Sequence, residues 1–114
     1  MSAEAHKAAG NKLFSQQLYE DAVKEYSTAI VHIPLTWAGL HEFPQCQNPT
    51  VATYYTNRAL CHLKLKRFDD VVADCNRAVD IDERAVKGYY LKGQALTEKK
   101  RYAEALTDLK KGAQ

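Results

Sequence analysis

The amino-acid sequence predicts an all-α fold built from three similar helix-turn-helix units. Apolar residues recur at three- and four-residue intervals along most of the 114-residue chain, which is the spacing of one helix face. Only five glycines and three prolines punctuate the chain, which favours a few long elements. The units cover about residues 3–36, 52–85 and 86–114, and we expect a single domain over residues 1–114.

The first unit is predicted to contain helices over residues 3–16 and 18–33. Ser2 can cap the first helix, because its hydroxyl can accept a hydrogen bond from the first turn. Pro34 is expected to end the second helix, since proline has no N–H for the helical ladder. The apolar face of that second helix consists of Tyr19, Ala22, Val23, Tyr26, Ala29 and Ile30.

The second and third units repeat this pattern. Helices are predicted over residues 53–65 and 68–79, and then over residues 86–97 and 102–111. The turns within the three units (QQLYEDA, KRFDDV and KKRYAEA) are short and alike, so the two helices of each pair must be antiparallel neighbours. The equivalent aromatic residues Phe68 and Tyr102 are 34 residues apart, whereas Tyr19 and Phe68 are 49 apart, which leaves a 15-residue insert.

The insert covers about residues 37–51. Pro44 and Pro49 argue against one long helix, so we expect a loop with a short helical turn near residues 37–41. The apolar side chains of the insert are expected to pack on neighbouring helices. They are Trp37, Leu40 and Phe43.

Composition excludes several classes of function. Sixteen basic and fourteen acidic residues give a net charge of +2, which is too small for a general nucleic-acid or membrane-surface binder. No apolar run is long enough to span a bilayer, and the N terminus lacks a secretory signal pattern. Three cysteines without a signal are typical of reduced thiols, so we expect a cytoplasmic or nuclear protein.

No residue pattern predicts catalysis, a metal or a cofactor. The sequence has no Gly-rich phosphate loop, HExxH or CxxC. The spacing of His41, Cys46 and Cys61 fits no structural zinc pattern, and Cys61 and Cys75 are interpreted as small core residues. An interaction module is therefore the favoured class.

Four polar residues predict an anion-binding groove, because the first helices of stacked helical pairs line a concave surface. Lys7 and Asn11 are four residues apart and so share one helix face. Asn57 lies in the first helix of the second unit, and Lys87 begins that of the third. Lysine and asparagine supply several donors, which suits two closely spaced carboxylates, such as an acidic side chain beside a free C terminus. The alternative is that all four are ordinary solvated residues.

With a 34-residue helical period and these residues, the chain resembles the tetratricopeptide domains of co-chaperones. The motifs are HKAAGNKLF, YYTNRALCHLK and VKGYYLKGQ. The resemblance implies a right-handed superhelix that holds the C-terminal EEVD peptide of heat-shock 70 and heat-shock 90 chaperones. The implied carboxylate clamp is Lys7, Asn11, Asn57 and Lys87.

An apolar residue at Leu91, where many members have arginine, makes the chain most similar to the CHIP-type co-chaperone ubiquitin ligases. That likeness implies a peptide contact at Gln94. It also implies that side chains beside the clamp hold the residues before the acidic end, here Phe14, Thr53, Leu60, Tyr90 and Leu91.

The U-box that recruits a ubiquitin-conjugating enzyme in such ligases is not visible in this sequence, so the domain itself is expected to be non-catalytic. Because helical repeats end in a polar capping element, we expect the natural chain to continue beyond Gln114. Two alternatives stay open: the docking domain of another co-chaperone (a phosphatase, an isomerase or a scaffold), and a repeat scaffold that binds a different peptide or a partner helix.

Overall fold

A computed structural model describes residues 2–32 and 49–112, with side chains described as far as residue 103. The described residues form helices only, which confirms the all-α prediction. Each helix packs against the next along the chain, and the third also contacts the fifth. The five helices are α1 (Ala3–Ser15), α2 (Tyr19–Val31), α3 (Pro49–Lys64), α4 (Phe68–Ile81) and α5 (Val86–Gly112).

The first helix begins as the sequence predicts. The backbone N–H of Ala5 donates to the Ser2 hydroxyl at 3.2 Å, so the predicted cap is confirmed. Glu4 adds a negative charge in the first turn, where the helix dipole favours it.

The turns within the first two units have the same backbone geometry. Gln17 and Lys66 both have φ of 62°, in the left-handed region. In each turn the following N–H donates to a carbonyl five residues back, with Leu18 N–H to Leu13 O at 2.9 Å and Arg67 N–H to His62 O at 2.8 Å. This geometry reverses the chain and makes α1 and α2, and then α3 and α4, antiparallel.

The third helix begins at Pro49, four residues before the predicted start at Thr53. Proline is compatible with the first turn of a helix, because the first N–H groups have no intrahelical acceptor and its φ is already helical. Residues 49–51 of the predicted insert are therefore helical. The rest of the insert, including Trp37, lies outside the described residues.

The third unit differs from the sequence prediction, because one continuous helix, α5, spans both predicted helices and the turn between them. Lys100, which corresponds to Gln17 and Lys66, is helical. A lysine in the left-handed backbone conformation costs about 1–2 kcal/mol, and this cost is offset only if the following helix packs back on the first. The segment EKKRYAEALTDLKK contains mostly good helix formers and no glycine or proline, so continuing the helix is locally favoured.

Small residues allow close packing in the first unit. A Cβ built on Gly10 would lie 2.7 Å from the Tyr26 ring, so α1 and α2 approach closely only because that side chain is absent. The equivalent Gly93 meets no described atom within 4 Å, which agrees with α5 continuing instead of folding back.

Three apolar clusters stabilise the described helices. One joins α1, α2 and α3 around Tyr26 and Cys61, a second joins α2, α3 and α4 around Tyr54, and a third joins α3, α4 and α5 around Leu91. Cys61 and Cys75 are fully buried, as predicted for core residues. Burial raises the pKa of each of these two thiols to about 11, so both remain neutral thiols at physiological pH.

A largely buried ion pair joins the two helices of the second unit, and the same arginine reaches the first unit. Arg58 of α3 donates to both carboxylate oxygens of Asp74 in α4, from Nε at 2.9 Å and from Nη2 at 2.6 Å. Its Nη1 donates to the Ser27 hydroxyl in α2 at 3.1 Å. The hydrogen bond to Asp74 raises the pKa of Arg58 despite partial burial. One guanidinium therefore ties three helices together.

Candidate functional site

Three of the four polar residues predicted to face a groove line one cavity of about 260 Å³. Asn11 reaches it from α1, Asn57 from α3 and Lys87 from the first turn of α5. The cavity lining holds two amides and an ammonium group but, among the described residues, no carboxylate. The complete lining is Asn11, Phe14, Ser15, Tyr26, Asn57, Leu60 and Lys87.

The Asn11 side chain is held in one orientation. The Tyr26 hydroxyl donates to Asn11 Oδ1 at 2.6 Å, so the amide oxygen is occupied. The Nδ2 hydrogens have no acceptor among the described residues and are available to a ligand. Tyr26 is 2% exposed, and burial raises its pKa to about 12, with the Cys61 thiol a smaller contributor. The phenol therefore stays protonated and remains a donor at physiological pH.

The fourth predicted residue, Lys7, lies one turn before Asn11 on α1 but does not line this cavity. Its Nζ lies 5.9 Å from the centroid of the Tyr54 ring, which is a cation–π contact. The Tyr54 hydroxyl donates to Glu4 Oε1 at 2.8 Å, and burial and this bond raise the tyrosine pKa to about 12. Among the described residues, Lys7 forms no ion pair with a carboxylate.

Asn57 and Lys87 also line a second cavity of about 260 Å³ between the starts of α3 and α5. Thr53, one of the residues implied by the resemblance, lines this second cavity. Asp82 is buried at its edge and accepts from the Arg84 backbone N–H at 3.0 Å, so its carboxylate is engaged in the turn that leads into α5.

The predicted apolar contacts divide into two groups. Phe14 and Leu60 are half-buried and lie beside the amides in the first cavity. Tyr90 and Gln94 are exposed on α5, and Gln94 lines a further cavity of about 270 Å³ that includes Leu63, Phe68 and other residues.

Leu91 requires a correction, because it does not present a surface to a ligand. It is only 2% exposed and packs with Ala59, Val71, Cys75 and Ala95 in the cluster between α3, α4 and α5. It shares a helix face with Lys87, one turn earlier, but at the level of Leu91 that face packs against α3 and α4. A leucine is therefore required there by the core, whatever the groove binds.

Two cavity residues were not predicted from the sequence. Ser15 lies one turn after Asn11, and its hydroxyl donates to the Asn11 backbone carbonyl at 3.1 Å. Tyr26 was assigned correctly to the apolar face of α2, but its hydroxyl reaches the groove. A tyrosine opposite Gly10, with Asn11 following, is the signal from which this contact could have been inferred.

Residues 2–32 and 49–112 offer neither a metal site nor a membrane-spanning helix. No group of three or more histidine, cysteine or acidic side chains among them could hold a metal ion. None of the described helices is both long and apolar enough to cross a membrane.

The repeat pattern matches a known family. The sequence profile described as tetratricopeptide repeat matches residues 52–84 and 86–114. Among curated relatives, the E3 ubiquitin-protein ligase CHIP of Arabidopsis thaliana is 32% identical over 109 residues, which is 96% of this chain. The chain spans only 34% of that relative and 29% and 16% of two further ones, so it corresponds to one part of longer proteins.

Solved structures of similar fold include two tetratricopeptide domains with bound peptides. The first such domain of Spaghetti, bound to the Hsp90 peptide SRMEEVD, is 28% identical with a TM-score of 0.69; the match covers 94% of this chain and 75% of that one. The second such domain of human RPAP3, in complex with the Hsp70 peptide SGPTIEEVD, is 25% identical with a TM-score of 0.69. That match covers 96% of this chain and 78% of the RPAP3 chain.

Proposed function

The chain belongs to the tetratricopeptide-repeat family, and on that premise we propose that its groove binds the acidic C-terminal peptide of Hsp70 and Hsp90 chaperones. The single observation that supports this most is the cavity shared by Asn11, Asn57 and Lys87, in which described side chains supply donors and no carboxylate. A free C terminus beside an acidic side chain offers carboxylate oxygens that match these donors.

Each polar residue has a distinct role in this carboxylate clamp. Lys87 supplies a positive charge at the start of α5, while Asn11 donates from α1 and Asn57 from α3. Lys7 adds a second charge from α1, one turn from Asn11, with its Nζ 5.9 Å from the centroid of the Tyr54 ring. Two cations on separate helices suit two carboxylates that are close together but distinct.

The number of donors is sufficient for useful affinity. A hydrogen bond to a charged group contributes about 1.5–3 kcal/mol, and less where water competes. Three or four such bonds are enough for a micromolar complex, which corresponds to about −8 kcal/mol.

The residues before the acidic end are expected to follow α5 along the groove. Phe14 and Leu60 offer apolar surface next to the donors. Tyr90, which is 68% exposed, and Gln94 extend the surface away from Lys87. Leu91 is left out of this binding surface because it belongs to the core.

Calorimetric titration tests the proposal. We expect a peptide ending in EEVD to bind at least tenfold more tightly as the free acid than as the C-terminal amide, because amidation removes one carboxylate. Lys87→Ala should weaken binding of the free acid by a similar factor. Lys99→Ala is the matched control, since Lys99 is exposed on the same helix and pairs with Asp69 outside this cavity. Equal affinity for both peptides would exclude a clamp for the terminal carboxylate.

We further propose that the chain is the docking domain of a cytoplasmic CHIP-like ubiquitin ligase in protein quality control, supported by the similarity to the Arabidopsis protein. The ubiquitin-conjugating enzyme would then bind a separate domain of the full-length protein. Incubating that protein with activating and conjugating enzymes, ubiquitin and ATP should modify bound Hsp70, and Lys87→Ala should prevent this. Absence of ligase activity would favour a phosphatase, isomerase or scaffold parent and leave the peptide groove unaffected.

A groove that recognises mainly apolar side chains of another peptide is the second candidate, favoured by the half-buried Phe14 and Leu60. The dependence of affinity on salt concentration distinguishes the carboxylate clamp from such an apolar groove. A clamp based on charge weakens as ionic strength rises, whereas an apolar groove changes little.

A further inference from the structure

Tyr26 is a core residue with a polar end at the groove. Its ring is held between α1 and α3, with Cys61 in the same buried cluster. Three ring atoms would lie within 3.0 Å of a Cβ on Gly10, so the ring position depends on that glycine. The hydroxyl is consequently fixed at the point where it meets Asn11.

This contact determines which end of the Asn11 amide faces the cavity. Because the Tyr26 hydroxyl donates to Oδ1, with the two oxygen atoms 2.6 Å apart, the Nδ2 group is directed away from the tyrosine. If the amide turned over, the buried hydroxyl would lose the only acceptor that the described residues give it. A turned amide would also place an oxygen against the ligand's carboxylate, which is repulsive.

We propose that Tyr26 is a positioning residue for carboxylate recognition, whose hydroxyl holds the Asn11 amide with Nδ2 available to the ligand. The inference rests on the proposed function, because it requires that the groove bind a carboxylate. Its benefit is preorganisation: the ligand meets a donor that is already oriented, so less ordering is required on binding. Ser15, which donates to the backbone carbonyl of Asn11, adds a second contact that holds this turn of α1.

The first test is Tyr26→Phe, which keeps the ring against Gly10 and removes only the hydroxyl. We expect about three- to tenfold weaker binding of the free-acid EEVD peptide, as for one neutral hydrogen bond. Binding of the amidated peptide should change little if that peptide does not engage Asn11. Thr28→Val is the control, because Thr28 lies on the same helix as Tyr26 and its hydroxyl bonds to the Lys24 backbone carbonyl, outside the cavity.

A double-mutant cycle distinguishes positioning from a general loss of stability. In an Asn11→Ala background, Tyr26→Phe should cause no further loss of affinity, since the group on which it acts is gone. The same loss in both backgrounds, or an equal loss with Thr28→Val, would assign Tyr26 a purely structural role and overturn the inference.

The result for the wild type separates this inference from the proposed function. If the wild type prefers the free acid and Tyr26→Phe binds like the wild type, only the positioning role fails. If the wild type shows no preference, both fail.

Should Tyr26→Phe not fold, NMR of the wild-type complex decides. The Asn11 Nδ2 hydrogens should then show nuclear Overhauser contacts to the last peptide residue. Contacts of these hydrogens to the Tyr26 ring alone would contradict the proposed orientation.

Discussion

Asn57 and Arg58 are neighbours in the sequence but belong to two polar regions of opposite character. Arg58 is bonded to Asp74 and Ser27, so its charge is neutralised inside the fold and joins α2, α3 and α4. Asn57 faces a cavity with Asn11 and Lys87, in which no described residue supplies a carboxylate. One set of polar groups therefore stabilises the fold, and we propose that the other binds a ligand. Substitutions in the two regions should therefore have separable effects.

The largest expected effect is on stability, from Asp74→Ala. It leaves the Arg58 guanidinium, which is 22% exposed, without its partner. Breaking a buried pair in this way costs about 3–5 kcal/mol of unfolding free energy. The measurement is urea denaturation followed by circular dichroism.

The exposed pair between Asp69 and Lys99 supplies the control for this substitution. Asp69 is 84% exposed, so Asp69→Ala should cost less than about 0.5 kcal/mol. If Asp74→Ala proved as mild as Asp69→Ala, the buried pair would not be a major contribution to the packing of α3 on α4.

Gly10 packs against Tyr26, a core residue that also lines the cavity, so Gly10→Ala should affect both stability and binding. The added methyl group would lie 2.7 Å from the Tyr26 ring, and such overpacking costs roughly 1–3 kcal/mol. The displaced ring should also disturb Asn11 and weaken binding of the free-acid peptide.

Gly93→Ala is the matched variant on α5, where the new methyl group meets no described atom within 4 Å. There the better helix propensity of alanine should stabilise the protein by up to about 1 kcal/mol, with peptide affinity unchanged. Thermal unfolding should show a lower midpoint temperature for Gly10→Ala and a higher one for Gly93→Ala, each relative to the wild type. If instead both variants were stabilised, the close approach of α1 and α2 would be refuted.

The smallest expected effect is a pH dependence of stability from His62, beside the buried ion pair. Burial lowers the pKa of His62, and the nearby Asp74 and Asp70 only partly oppose this. As pH falls below the ordinary histidine pKa of about 6.5, the unfolded state binds a proton that the folded state does not, so stability declines. Unfolding free energies measured between about pH 7 and pH 5 should show this slope.

The slope should be flatter in His62→Gln and retained in His32→Gln, since His32 is exposed. Equal slopes in these two variants would show that His62 is not responsible. Its Nδ1 atom has no hydrogen-bond partner among the described residues, which agrees with a neutral ring.

The sequence predicts helix positions well because the buried face of each helix obeys a helical period. The prediction of helix ends fails where packing between elements, rather than local sequence, determines where a helix begins or stops. Residues 98–101 carry the same turn pattern as the earlier units, yet α5 continues through them. The pattern alone does not show whether a returning helix would pack on the first, so the sequence could not predict this. Pro49 looked like a loop residue, but a proline in the first turn is compatible with a helix.

The candidate site is predicted less completely than the fold. Lys87, Tyr90 and Leu91 lie within about one turn of α5, and periodicity cannot decide which of them faces the core. The structure buries Leu91 and leaves Tyr90 exposed, because α3 and α4 lie against only one side of the helix. The contact between Tyr26 and Asn11 joins residues 15 positions apart on two helices, so only the packed pair reveals it.

The central claim, that the cavity binds a terminal carboxylate, is tested most directly by NMR of the asparagine side chains. With ¹⁵N-labelled protein, the free-acid EEVD peptide should shift the side-chain NH₂ signals of Asn11 and Asn57, and the amidated peptide should shift them much less. Unchanged Asn11 and Asn57 signals with a tightly bound peptide, or identical shifts from both peptides, would contradict the account.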